Sequence, residues 1–146
     1  MVWTLYQLRK HTYIRTTDTS GFLHSLTPDD YLLIHRPRSS GLGGGVGFFI
    51  RDTYKCKTID SPNFCSFESM VISVTVDGHS LLLTSLYRPP GPCSAIFLDE
   101  FMTLISYLSS VDSYYYICSD FNIHIDVPGS DSHKFSVLLE SCNLTQ

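Results

Sequence analysis

The sequence predicts an α/β or α+β protein in which layered β-sheets pack against helices. Residues 70–76 and 79–87 are rich in β-branched and aliphatic side chains, and the Asp77-Gly78 dipeptide between them is a two-residue hairpin signal. The second strand contains three consecutive leucines at 81–83, which indicates burial on both faces of a sheet. Residues 95–111 then carry apolar side chains at helical spacing.

The other elements follow from shorter apolar runs and from breaker residues. Strands are predicted at 2–8, 31–35, 46–50 and 114–118, and a second helix at 131–141. Residues 37–45 form a loop rich in Ser and Gly, and the prolines at 89–92 end the second hairpin strand because proline cannot donate to a ladder. Segment 55–59 is predicted to pair with strand 46–50, its neighbour in the chain.

Composition indicates the class of protein, and the order of residues near the N-terminus indicates its compartment. The chain has 146 residues, 43% hydrophobic and 16% charged, which fits one globular domain. No apolar run approaches the ~18 residues of a membrane span. Near the N-terminus the charges follow the apolar residues, whereas a secretory signal has the reverse order. We therefore expect an intracellular protein, nuclear or cytoplasmic, with no membrane partner.

The cysteines and the charge distribution exclude two further classes. The five cysteines show no C-x-x-C spacing, so we expect free thiols rather than a zinc site. The net charge of −4 is uneven: residues 1–60 hold eight Lys/Arg against five Asp/Glu, and residues 61–146 hold two against nine. A dedicated DNA-wrapping module is usually basic. This chain is expected to meet phosphates only locally or through a metal ion.

The segment from Tyr116 to Asp126 is the most informative for chemistry. A hydrophobic strand ends in Asp120, Asn122 and His124, which point the same way in an extended chain. A carboxylate binds Mg²⁺ or orients a water molecule, and an amide can donate to developing phosphate charge. The alternative is an ordinary turn capped by Asp and Asn side chains.

Two other segments are weaker signals. Tyr87 and Arg88 stand at a strand end before two prolines, and phenol and guanidinium groups both donate to phosphates. The alternative is an ordinary strand end or a polyproline-type loop. The glycine-rich run at 40–47 lacks a following Gly-Lys-Ser/Thr and precedes a strand, so we interpret it as a flexible loop rather than a phosphate-binding loop.

These segments together form an ordered set of motifs. The set is Arg36-Pro37-Arg38, Gly43-Gly44-Gly45-Val46, Phe67-Glu68, Ser85-Leu86-Tyr87-Arg88-Pro89-Pro90 and Ser119-Asp120-Phe121-Asn122-Ile123-His124. In this order it resembles the endonuclease domain of LINE-type (non-LTR) retrotransposons, within the endonuclease/exonuclease/phosphatase superfamily. The resemblance covers residues 20–146 as a partial domain, after a divergent N-terminal segment at 1–19.

The resemblance implies a fold, a reaction and residue roles. The fold is an α/β protein with a two-layer β-sandwich flanked by helices, like pancreatic-type deoxyribonuclease and apurinic endonucleases, here incomplete at both ends. The reaction is Mg²⁺-dependent hydrolysis of DNA phosphodiester bonds, with Mn²⁺ as the alternative ion and a reverse transcriptase domain as partner in the parent polyprotein. Asp120 would orient the attacking water or bind the metal, Asn122 would bind the scissile phosphate and Tyr87 would donate to it. Arg88 and His124 would be further phosphate contacts.

Departures from the family pattern predict impaired catalysis. His11 stands where the family has a metal-binding Glu, and a neutral imidazole is a poor Mg²⁺ ligand. Ser119 replaces a Gly, and the C-terminal Ser-Asp-His motif is not in the chain. Glu68 is interpreted as structural. We therefore expect an impaired endonuclease, with a non-catalytic, weakly nucleic-acid-binding remnant as one alternative. The other alternative, a phosphatase acting on lipid or inositol phosphates, is disfavoured by the Tyr-Arg-Pro-Pro motif.

Overall fold

The computed structural model describes residues 27–38 and 45–145, together with two short strands nearer the N-terminus. In chain order the elements are β1 (Trp3–Thr4), β2 (Tyr6–Gln7), β3 (Tyr31–Pro37), β4 (Gly45–Arg51), β5 (Lys55–Ile59), β6 (Glu68–Val76), β7 (His79–Tyr87), α1 (Ala95–Val111), β8 (Tyr115–Asp120), α2 (Ser130–Ser141) and β9 (Leu144–Thr145). His11, the residue at the family's Glu position, lies outside the described residues.

The hairpin β6–β7 forms where the sequence predicts it. Asp77 and Gly78 have φ angles of 50° and 81°, and two positive φ angles in succession make the turn whose twist matches that of the flanking strands. The register is continuous from Val76 opposite His79 to Glu68 opposite Tyr87. Glu68, the first residue of β6, therefore lies at the same end of the sheet as Tyr87, the last residue of β7.

The main sheet has the strand order β2-β8-β7-β6-β5. Strands β7 and β8 are parallel, and helix α1 provides the crossover connection that parallel neighbours need. The predicted pairing of segment 55–59 with 46–50 is wrong. Strand β4 pairs along its whole length with β3, and β5 pairs antiparallel with β6 in the main sheet. Without β5, the backbone N–H and C=O groups on the side of β6 away from β7 would have no hydrogen-bond partners.

Two apolar layers cover the two faces of the main sheet, which confirms the predicted α/β sandwich with flanking helices. On one face Val71, Leu82 and Ile117 are fully buried against the helices. On the other face Met70 and Ile72 pack against the β3–β4 hairpin. Strand β6 is buried from Ser69 to Val74, so the strand has no solvent face along that stretch.

Both helices pack through their apolar faces, and α1 also has a side-chain N-cap. The predicted helix at 95–111 is confirmed; its N-cap is Ser94, whose Oγ accepts from the Phe97 backbone N–H at 3.2 Å. Helix α2 begins one residue before its predicted start. Its Asp131 carboxylate accepts from the Cys93 backbone N–H at 2.8 Å, which joins the start of α2 to the segment that precedes α1. No helix among the described residues is long and apolar enough to cross a membrane.

The five cysteines carry free thiols. Burial raises the pKa of the Cys118 thiol, and burial is also the largest cause of the raised pKa of Cys93. A raised pKa keeps a thiol protonated at neutral pH and lowers its reactivity as a nucleophile. These two cysteines therefore behave as small apolar residues of the fold.

Helix α1 also holds the chain that enters β6. The Glu100 carboxylate accepts from the backbone N–H groups of Cys65 and Ser66, each at 2.9 Å, and from the Ser66 hydroxyl. Burial alone raises the pKa of Glu100 and is the largest single cause, but the hydrogen bonds from Ser66 and Cys65 together outweigh it and lower the pKa from 4.5 to about 2. The folded state therefore favours the ionised carboxylate.

Glu100→Gln is expected to reduce stability in a pH-dependent way. Because the folded pKa lies below the unfolded one, the contribution is complete above pH 4.5 and is lost as pH falls toward 2. At pH 7 the expected loss is about 1 kcal/mol, discounted for solvent screening of a partly exposed group. Urea unfolding from neutral to acid pH measures it, with the exposed Glu140→Gln as control. A difference from wild type that stays constant over the whole range would contradict this assignment.

Candidate functional site at the β7–β8 edge

Tyr87 and Asp120 end two parallel strands side by side. They are register partners across the β7–β8 pair, and the ladder continues one step further because the Arg88 backbone N–H donates to the Asp120 carbonyl at 3.0 Å. Glu68 is the register partner of Tyr87 on its other side. Residues paired directly across a sheet project from the same face. This end of the sheet, here called the β7–β8 edge, therefore presents the carboxylate of Asp120, the phenol of Tyr87 and the carboxylate of Glu68 in a row. They lie on the face that packs against β3–β4.

The loop after β8 is a tight turn built by Asp120 and Asn122. The Asn122 backbone N–H donates to Asp120 Oδ1 at 3.1 Å, and Asn122 has a φ of 48°, a left-handed conformation that Asn tolerates. The Asn122 Nδ2 donates to the Arg88 carbonyl at 2.6 Å. Both polar side chains are thus held before any ligand arrives. From the sequence, a turn capped by Asp and Asn side chains is the alternative to a catalytic segment. That turn is present, and the residues that build it are those of the candidate site.

The turn changes the expected direction of the three polar side chains. Strand β8 ends at Asp120, so Asn122 and His124 do not continue an extended chain, and the expected common direction is wrong. His124 is exposed, and its carbonyl accepts from the Val127 backbone N–H at 3.2 Å in the next turn. The structure therefore brings together Tyr87, Asp120 and Asn122, and leaves His124 as an exposed residue of the following loop.

Arg88 has a different position from the one that a phosphate contact requires. Only 3% of the residue is exposed. Its Nη1 donates to the Phe121 carbonyl at 3.0 Å, and its Nη2 donates to the carbonyls of Gly91, at 2.7 Å, and Pro92. The guanidinium lies over the ring of Phe97 at 4.9 Å from the centroid. Arg88 joins the two loops that flank the site, and its guanidinium is not presented to a phosphate.

Two arginines from the end of β3 reach the same edge. Arg38 Nε donates to Glu68 Oε1 as an ion pair, and the Arg38 guanidinium lies 5.9 Å from the centroid of the Tyr87 ring. Arg36 donates through Nη1 to the Ser69 carbonyl at 3.2 Å and through Nη2 to Asn63 Oδ1 at 2.9 Å. The sequence reasoning assigned no site role to Arg38. The sequence feature that could have indicated a role for Arg38 is the pair of arginines, Arg36 and Arg38, just before the glycine-rich loop.

The described residues do not form a magnesium site on their own. Within 27–38 and 45–145 no three His, Cys, Asp or Glu side chains come together as a possible metal cluster. Glu68 is paired with Arg38, and one oxygen of Asp120 accepts from Asn122. Mg²⁺ needs an octahedral set of oxygen ligands. Waters and substrate phosphates fill most of this set, so Asp120 would contribute one protein ligand, and the other ligands are not among the described residues. We therefore derive no step through a metal ion.

The fold has known relatives among solved structures. A humanized D. rerio TDP2 carrying 14 mutations matches with a TM-score of 0.55 and 13% identity, over 86% of this chain and 48% of that one. D. rerio TDP2 in complex with a single-strand DNA product matches with a TM-score of 0.54 and 12% identity, over 86% of this chain and 47% of that one. The chain spans about half the length of these TDP2 chains. No family model and no curated protein matches it.

This likeness establishes the fold and not the activity. The layered sheets and helices described above are the fold that this chain shares with the two TDP2 structures. At such low identity the same fold carries many different reactions. The function must therefore be argued from the residues at the β7–β8 edge.

Proposed function

We propose that this chain is part of a DNA phosphodiesterase of the LINE retrotransposon endonuclease type, and that the β7–β8 edge binds the phosphodiester. The observation that carries the proposal is the register pairing of Tyr87 with Asp120 at the end of two parallel strands. Ligands of open α/β sheets bind at the carboxyl ends of parallel strands. One TDP2 of the same fold was crystallised with a single-strand DNA product, which favours DNA as the substrate class.

The three side chains have complementary roles in this proposal. Asp120 keeps one oxygen on the Asn122 backbone N–H, and the carboxylate orients the attacking water or accepts its proton. As the water oxygen bonds to phosphorus, the bond from phosphorus to the 3′ oxygen breaks, and the 3′ oxygen takes a proton from solvent. The Tyr87 phenol donates to a phosphate oxygen as charge builds on it. Asn122 holds the turn through its bond to the Arg88 carbonyl and places its amide beside the same phosphate. A reverse transcriptase domain in the parent polyprotein would use the new 3′ end as a primer.

Nicking of supercoiled plasmid by the purified chain tests this proposal. The assay is run with Mg²⁺, with Mn²⁺ and with a chelator, because the family resemblance implies a divalent ion. We expect slow, ion-dependent nicking that Asp120→Ala lowers by about 10²-fold or more. Asp126→Ala removes an exposed carboxylate from the same loop and should leave nicking unchanged. Equal nicking by wild type and Asp120→Ala would show that the edge does not carry the reaction.

A second candidate function is binding of DNA without cleavage. It is favoured because Asp120 is the one edge carboxylate without a basic partner among the described residues: Glu68 is paired with Arg38, and no metal cluster forms within the same residues. Loss of a metal ion and of acid–base assistance each costs about 10²-fold or more in rate. Folded protein that binds single-stranded DNA and shows no nicking above the Asp120→Ala background would select this candidate.

A further inference from the structure

Arg38 differs from the other two arginines at this edge in the hydrogen bonds that its guanidinium group donates. Arg88 uses both Nη groups on backbone carbonyls, and Arg36 uses both on Ser69 and Asn63. Arg38 donates through Nε to Glu68, and its two Nη groups donate to none of the residues that the structure describes. About a third of its side chain is exposed to solvent. As far as residues 27–38 and 45–145 are concerned, the fork of the guanidinium is therefore available to a ligand.

The guanidinium of Arg38 is also held in place from two sides. Glu68 fixes the Nε end, and the Tyr87 ring lies 5.9 Å below the guanidinium carbon. A side chain whose rotamers are already restricted loses less entropy on binding. A planar guanidinium presents paired N–H groups that match two phosphate oxygens. The arrangement therefore fits a preformed phosphate-binding group beside Tyr87.

Glu68 fits a positioning role better than a stabilising one. Its Oε2 is buried and has no hydrogen-bond partner within the described part of the chain. A buried carboxylate oxygen without a partner costs stability. An unsatisfied buried oxygen calls for an explanation, and orientation of Arg38 by the ion pair supplies one.

We propose that Arg38 binds a backbone phosphate of the nucleic acid, next to the one held at Tyr87 and Asp120, and that Glu68 and Tyr87 position it. The inference rests on the proposed function, because it takes DNA as the ligand of this edge. It assigns the phosphate contact to an arginine from the β3–β4 hairpin rather than to Arg88 of the main sheet. The net charge of −4 makes a single oriented cation more important than a general basic surface.

Binding of a labelled oligothymidine of about ten nucleotides, measured by fluorescence anisotropy, tests the inference. Glu68→Gln is the background, because deleting Arg38 alone strands the Glu68 carboxylate. Relative to that background, Arg38→Ala/Glu68→Gln should weaken binding about tenfold and reduce the slope of log affinity against log salt by about 0.7, the value for one phosphate on a single strand. Circular dichroism melting confirms that each variant is folded.

Arg51 gives a matched control in the same hairpin. Arg51 also lies over a tyrosine, Tyr31, at 5.6 Å, but at the opposite end of β3–β4. Arg51→Ala should leave both affinity and salt slope unchanged. An unchanged slope in the folded Arg38 double variant, or an equal change in Arg51→Ala, would overturn the inference, as would wild-type protein that does not bind the oligonucleotide.

The result separates this inference from the proposed function. Plasmid nicking that depends on Asp120, together with a salt slope that does not depend on Arg38, would leave the phosphodiesterase proposal standing and remove Arg38 from it. A slope that depends on Arg38 in a protein that does not nick would support the inference and select binding without cleavage.

Discussion

Phe121→Ala is expected to lower the free energy of unfolding by about 3–5 kcal/mol, the cost of removing a buried phenyl ring and leaving a cavity. The Phe121 residue is only 1% exposed. Its ring centroid lies 6.3 Å from that of Phe97, 5.5 Å from that of Phe101 and 4.6 Å from that of Phe135. It is the residue between Asp120 and Asn122, so the aromatic cluster that joins both helices to the sheet also anchors the candidate site.

Chemical denaturation of wild type, Phe121→Ala and Phe121→Leu measures this effect. Leucine keeps much of the volume and should cost less than alanine. Phe49 is 46% exposed on β4, so Phe49→Ala is the control for a ring outside the aromatic cluster. We expect Phe121→Ala to lose oligonucleotide binding together with the structure of the turn. A Phe121→Ala protein that keeps wild-type stability would show that the aromatic cluster is not the support of the site.

The sequence was sufficient for elements whose signal is local. The Asp77-Gly78 turn has one favoured geometry, and the apolar spacing at 95–111 has one period, so hairpin and helix followed directly from them. The pairing of Tyr87 with Asp120 is also accessible to such reasoning, because two apolar runs joined by a helix indicate parallel neighbours. These two residues were predicted as site residues, and the structure places them side by side.

The sequence was insufficient where the outcome depends on distant partners. The residue pattern of β5 is the same whether the strand pairs with β4 or with β6. Because β4 pairs along its whole length with β3, β5 pairs with β6. The direction of Asn122 depends on a turn that its own side chain and Asp120 build. The roles of Arg38 and Arg88 depend on burial, which the residue type does not reveal: both are arginines next to prolines.

Arg88→Met is expected to reduce the free energy of unfolding by about 2–4 kcal/mol, because three backbone carbonyls lose their donor, and the carbonyl of Phe121 loses it in a buried position. Methionine keeps much of the length and apolar stem of the side chain, so the loss reflects the missing hydrogen bonds and the missing cation over Phe97. Arg88→Lys keeps the charge but not the planar fork, and should recover only part of the loss.

The same variant distinguishes a structural from a ligand-binding arginine. If Arg88 joins the loop at 91–92 to the residue after Asp120, then Arg88→Met lowers the denaturation midpoint. The molecules that remain folded should bind DNA with an unchanged salt slope. A phosphate-binding Arg88 would give the opposite result: wild-type stability and a slope reduced by about 0.7. Because Arg88 is 3% exposed while a third of the Arg38 side chain is open to solvent, we expect stability to change at Arg88 and the salt slope to change at Arg38.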